Sequence, residues 1–233
     1  MDKTIGIAII IAALIFGTFF YKAQHEKESV KVVGYASMHH PSDILKWQVT
    51  IGTQAGTNQM KTAYRDLNQN VEFFRNLLKE NNLSLSELTI NSPFSYPVYD
   101  QSGLIKSYNI EQNLVYTVKD TTLFQVIENL NNNPEGLYAK GLLLRNSQIQ
   151  YFISELPKLK HNIIAEATKD AKQRAEEVAK SSKDKVGKLL NARVGVFQIT
   201  EPYSTEVQAY GVYNVSTKQK QISVTVTAEY ELK

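Results

Sequence analysis

The chain has no cysteine in its 233 residues. That excludes disulfide staples, thiolate metal sites, a cysteine nucleophile and a lipid-modified cysteine. It leaves the compartment open, because a cysteine-free chain folds in either redox setting. A surplus of one charge sign is also lacking: 26 basic side chains stand against 23 acidic ones. So even a balance does not suggest a nucleic-acid binder, which usually shows a basic face. No HExxH, GxSxG, Walker A or GxGxxG pattern occurs, and no low-complexity tract. What is present is 42% hydrophobic and 21% charged residues, the composition of a globular chain. The length suits one large domain or two small ones.

Residues 5–21 form a run of 17 without a charge, preceded by Lys3 and Thr4 and followed by Lys22. At about 1.5 Å per residue the run spans roughly 26 Å, a little under the ~30 Å hydrocarbon core of a bilayer. Tyr21 and Lys22 are placed to snorkel across the difference. A cleaved signal peptide needs a small-x-small site, but with Ala23 at −1 the −3 position is Tyr21, which is too large. The expectation is an uncleaved transmembrane signal anchor over residues 1–24, with 25–233 as the folded body. Lys22, Lys27 and Lys31, mixed with Glu26 and Glu28, lean by the positive-inside rule toward a cytoplasmic body.

Periodicity organises the rest. Residues 30–37 read as a strand broken by His39, His40, Pro41 and Ser42. In 44–52, Leu45, Trp47, Val49 and Ile51 alternate with polar residues, which predicts one buried face. Met60, Ala63, Leu67, Val71, Phe74 and Leu78 draw a helical stripe through 58–80, ended by Asn81 and Asn82. Residues 88–92 are a strand, and 93–99 an edge or loop because of Pro93 and Pro97. The segment 100–103 is a hairpin turn, and the next strand puts Tyr108, Ile110, Leu114, Tyr116 and Val118 on one face. Asp120 caps a short helix, and 138–149 return as a strand. The longest helix, 154–180, carries Leu156, Leu159, Ile163, Ala167, Ala171, Ala175 and Val178, and its alanines permit close packing. Strands at 192–201 and 221–232 close the chain around a polar loop, 202–220. The order implies an α+β fold: largely antiparallel sheets with one long and two shorter amphipathic helices, after one N-terminal transmembrane helix.

Candidate chemistry is sparse. His39 and His40 near Asp43 are the one histidine pair, but neighbours on a strand face opposite ways and chelate poorly. His161 and Glu176-Glu177 read as solvated helix positions, and 169–188 mixes both charge signs. No metal, cofactor or catalytic residue is expected. Thirteen tyrosines stand out. Tyr96, Tyr99 and Tyr108 flank one turn, and Tyr203, Tyr210 and Tyr213 sit in the late loop. Tyrosine is favoured at interfaces, so these six form a candidate interaction surface, against the plainer reading that they cover sheet faces.

A family resemblance rests on pieces in order. They are Val32-Val33-Gly34-Tyr35-Ala36-Ser37, then Ser42-Asp43-Ile44-Leu45-Lys46-Trp47, then residues 108–115 and 155–160. The long-helix stretch 166–175 follows, with Gly195-Val196-Phe197-Gln198-Ile199-Thr200 and residues 210–220. Together they resemble the SIMPL-domain family, a domain of unknown function, over residues 30–232. Lys183-Asp184-Lys185 departs from the small, glycine-containing turn of relatives. The resemblance implies a bacterial single-pass protein of the cytoplasmic membrane with an extracytoplasmic, periplasmic body, and it overrides the charge bias. Some relatives form ring-like or channel-like oligomers, and none brings catalytic residues to carry over. The expected role is structural: homo-oligomerisation or docking to an envelope partner through sheet edges and tyrosine-rich loops, with membrane contact through 5–21 and no nucleic acid. A small-molecule or glycan-binding module built on Tyr96–Tyr108 is the alternative, and an enzyme without a recognisable motif is the third reading.

Overall fold

The computed structural model describes residues 2–24, 28–139 and 143–233. In chain order the elements are α1 (Asp2–Gln24), β1 (Ser29–Pro41), β2 (Ile44–Ala55), α2 (Met60–Glu80), β3 (Leu88–Ile90), β4 (Phe94–Tyr99) and β5 (Ile105–Val118). There follow α3 (Phe124–Asn131), α4 (Pro134–Ala139), β6 (Leu144–Phe152), α5 (Leu156–Ser182), β7 (Val186–Val194), β8 (Gln198–Thr200), β9 (Val212–Tyr213) and β10 (Gln219–Leu232). One sheet has the order β1-β10-β8-β9, with β7 also on β10; the other is β3-β5-β2-β6, with β4 also on β5. The α+β class with antiparallel pairing is as expected. Two compact units emerge. Unit one holds Met1–Met38, Lys158–Gln198 and Ser223–Lys233; unit two holds His39–Pro157 and Ile199–Ile222.

In unit two the alternation of β2 sets the core. Leu45, Trp47, Val49 and Ile51 are buried with Leu67, Phe74 and Leu78 of α2, Ile110 and Leu114 of β5, and Phe124 and Ile127 of α3. The Trp47 ring lies 5.2 Å from that of Phe74. Its indole N–H donates to Ser147 Oγ at 2.9 Å, and Ser147 donates on to Asn131 Oδ1 at 2.7 Å. The one buried polar handle of the tryptophan is thus satisfied.

In unit one α5 packs by small residues. Val30, Ala171, Ala175, Ala228 and Tyr230 form a cluster, with Val32, Val186 and Leu232 against it. A Cβ on Gly34 of β1 would lie 2.1 Å from the Ala167 carbonyl oxygen and 2.4 Å from the Ala171 nitrogen. Only glycine allows this approach. Asp170 of α5 accepts the Tyr35 amide at 2.7 Å and the Arg174 Nε–H at 2.8 Å. The Tyr35 amide foremost, then Arg174, holds its carboxyl below the usual range although desolvation opposes this.

Several expectations need correction. Among the described residues no helix is long and apolar enough to cross a membrane. The transmembrane helix, the single-pass anchor over 1–24 and the single-pass location in the bacterial cytoplasmic membrane therefore fall. α1 has 23 residues, and its uncharged stretch, residues 4–21, is 18 long, near the lower end of what a span needs. Strand β1 does not break at the histidines; it continues through His39 and His40 to Pro41. Residues 138–149 are not one strand. Asn133 Oδ1 accepts the Gly136 amide at 3.0 Å and starts α4, whose first residue is Pro134, before β6 begins at Leu144. The strand expected at 192–201 divides into β7 and β8. Along α5 the last buried position is Ala179, while Val178 is exposed.

The departure at Lys183 is now explained. Lys183 follows α5 with φ +69°, the left-handed conformation that glycine adopts freely at a helix end. The Asp184 amide donates to the Ala179 carbonyl at 2.9 Å, so the turn geometry is kept with a side chain that strains it. Lys183→Gly is expected to raise stability by about 1 kcal/mol, read as a higher urea midpoint at unchanged slope. Gly34→Ala is expected to lower it by about 3 kcal/mol through overpacking in the same assay; an unchanged midpoint would show that α5 does not sit this close.

Candidate interaction surfaces

The six tyrosines divide. Tyr96 and Tyr99 lie exposed on β4, and Tyr108, opposite Pro97 on β5, is half-buried. Tyr96 donates its hydroxyl to Glu111 Oε1 at 2.7 Å and stacks on Phe94 with ring centres 6.3 Å apart. Tyr203 and Tyr210 are almost fully exposed at 88% and 98%. Tyr213 instead serves the fold: its hydroxyl accepts the Ile153 amide at 3.1 Å, and its ring lies 5.9 Å from that of Phe152. The two groups do not form one surface. Phe152 pairs with Ile44 at one end of β2, and Tyr108 with Ala55 at the other. The 12 residues of β2 at about 3.3 Å each separate these ends by roughly 35 Å.

The histidines belong to the late-loop group. His39 Nε2 lies 3.3 Å from Gln221 Oε1, which also accepts the Tyr203 amide at 3.0 Å. The His39 and Tyr203 rings meet edge to face at 5.7 Å, with Tyr203 at φ +64°. His40 Nδ1 bonds the Pro41 carbonyl at 2.7 Å. Asp43 is engaged elsewhere, by the Ser154 amide at 2.7 Å and by the Ser154 hydroxyl. Burial opposes its charge, but these donors, with His40 nearby, hold the carboxyl below its usual range. Among the described residues no cluster of three or more histidines and carboxylates is arranged for a metal.

Two features escaped the sequence reading. The first is β7, an open edge in unit one. Its register sets Val194 against Val226, Ala192 against Ala228, Leu189 against Tyr230 and Val186 against Leu232. These residues therefore share the face that α5 covers on β10. Yet α5 stops short, and Leu189, Leu190, Val194 and Val196, with Val178 on the helix, stay between 44% and 50% exposed. Leu189 and Leu190 fall between the mixed-charge stretch 169–188 and the strand expected at 192–201, so neither expectation takes them in. The second is Lys220 in unit two, with no exposed surface and no hydrogen-bond partner for Nζ. It was read as the end of a polar loop. The signal was there, because Lys220 continues the every-second-residue pattern of Ile222 and Val224. Neighbouring Lys218, by contrast, pairs with Glu128 at 2.9 Å.

Against this geometry, one family comparison is decisive. The model described as "SIMPL: Protein of unknown function (DUF541)" matches residues 30–230. The chain belongs to this family. A search of the curated proteins finds no match. The SIMPL match takes in both surfaces and Lys220, and it starts after α1.

Burial pushes the Lys220 ammonium down to about 8, with Glu201 partly opposing. The unfolded chain binds this proton up to about pH 10.4. Between those values the unfolded state holds more protons, so stability rises with pH there, and the full cost is present below pH 8. Lys220→Met is expected to stabilise the domain by on the order of 3 kcal/mol at pH 7, with the gain shrinking by pH 10. Denaturant unfolding at both pH values checks it; a pH-independent difference would show that the ammonium is not desolvated.

Proposed function

We propose that this SIMPL protein acts by association rather than catalysis, and that it assembles with copies of itself through β7. The observation that supports this most directly is the set of half-exposed aliphatic side chains along a strand that pairs β10 on one side and, among the described residues, no strand on the other. Such an edge presents free N–H and C=O groups as a template for another strand. The edge strand β4 is blunted by Pro97, which has no N–H to offer; β7 has no proline, and unlike the β6 edge it carries a set of exposed leucines and valines. The strand also suits its own copy. Paired antiparallel about a two-fold axis at Leu190, Val186 faces Val194 of the second copy and Lys188 faces Ala192. Arg193 faces Gly187, so no cation meets a cation. An isologous contact of this kind closes as a dimer.

Light scattering after size exclusion, on the full chain across the micromolar range, tests the proposal. The expected result is a discrete assembly whose mass halves, or falls to that of a monomer, in Leu190→Lys. That position is exposed, so the variant keeps its circular dichroism. A wild-type monomer throughout, or an assembly that Leu190→Lys leaves intact, would overturn it.

A further inference from the structure

The second sheet has a face that the core does not use. We infer that this face, in unit two and independent of β7, binds a neutral polyhydroxylated ligand, in chemical terms an oligosaccharide. Opposite the core positions of β2, the register aligns polar residues in rows. Thr50 lies between Asn113 of β5 and Asn146 of β6, and Gln48 lies beside Gln148. A cavity of about 170 Å³ opens there, lined by Gln48, Thr50, Asn91, Asn113 and Asn146 among others. Thr50 Oγ1 donates to Asn113 Oδ1 at 2.8 Å, which fixes that amide and leaves its NH₂ as a donor. At about 30 Å³ per water the hollow has room for roughly five waters.

The neighbouring rows add what a sugar ring needs besides hydrogen bonds. Phe94 pairs with Glu111 and Tyr96 with Asn109, which puts the two stacked rings on the same face as the amides. The Tyr96 hydroxyl is tied to Glu111, so its ring is held in place. Gly52 lets the Arg145 and Glu111 side chains lie down across the strand: a Cβ there would lie 2.8 Å from Arg145 Cγ and 2.9 Å from its Nε. The chemistry selects the ligand class. Planar amides offer a donor and an acceptor side by side, as sugar hydroxyls do, and aromatic faces accept the apolar C–H side of a sugar ring. Arg145 and Glu111 bring opposite charges to one row, so the face favours a neutral chain over a polyanion.

The test is calorimetric titration of the full chain with chitopentaose, cellopentaose and maltopentaose, with heparin as the polyanion. At least one neutral oligomer is expected to bind, with Asn113→Ala and Tyr96→Ala each weakening it about tenfold. Both positions are exposed or half-exposed on the sheet surface, and circular dichroism verifies the fold. Asn146→Ala, also exposed, replaces either variant that loses it. No binding by any neutral oligomer at about 10 mM, the weak end of specific recognition, overturns the inference. So does binding that all folded variants leave unchanged, or binding of heparin in preference. The assembly mass of Asn113→Ala, expected to equal that of wild type, keeps this outcome separate from the fate of the β7 contact.

Discussion

The approach of α5 to Gly34 is the constraint on which unit one depends. The helix backbone at Ala167 and Ala171 occupies the space where any side chain on Gly34 would begin. The alanine ridge and the glycine are therefore one device, divided between two distant parts of the sequence. The Asp170 bond to the Tyr35 amide fixes the same contact in register. A helix is about 10 Å wide and strands are about 4.8 Å apart, so one helix seated this way covers about two strands. Here they are β1 and β10. The third, β7, is left bare on the side where α5 would have to be wider, and the exposed leucines and valines follow from that geometry.

Unit two solves the same problem differently. Its core face is large and aromatic, with Trp47 and Phe74 at the centre, and α2 and α3 share the work of covering it. The opposite face of the same strands carries Gln, Asn and Thr. Each residue of β2 is committed to one side by the two-residue repeat, so a one-residue slip would put Lys46 and Gln48 into the core and Trp47 into solvent. The register that stabilises the core is thus also what lines up the amides on the outer face. A binding face of this kind needs no separate scaffold.

Much of this was legible in the residues. The alternation of 44–52 and 221–232, the α2 stripe, the Asp120 cap and the proline-rich edge strand all appear where periodicity and turn chemistry place them. The Asp120 carboxylate does accept the Thr122 amide at 2.9 Å. What stayed hidden depends on contacts between distant segments. The continuation of β1 through His39 and His40 is set by its ladder partner, which outweighs the local break signal of Pro41. The exposure of β7 depends on where α5 ends laterally, and no local pattern encodes that. The tyrosines were read as two groups, but their separation along β2 needed the pairing register. The membrane reading rested on the apolar run in α1, and among the described residues no helix is long and apolar enough to cross a membrane. Lys220 was readable, yet its charge outweighed its place in the alternation.

The two uncovered surfaces differ in what water does to them, and that orders their roles. Apolar area left in water costs roughly 25 cal/mol per Å², so the aliphatic row on β7 gains from any contact that buries it. The gain needs no chemical recognition beyond a fitting strand, and a second copy supplies one. The amide face is different. The free Asn113 NH₂ and the Asn146 amide are open to solvent, so a partner gains little by merely excluding water. Only a ligand that returns the displaced hydrogen bonds, donor for donor and acceptor for acceptor, competes with water there. The binding proposed for that face therefore calls for a matched ligand, whereas the association proposed at β7 calls only for a fitting apolar strand. The lysine at position 220 fits neither role: its burial weakens the fold at neutral pH without reaching a surface, and nothing in the structure explains why a charged residue stands there.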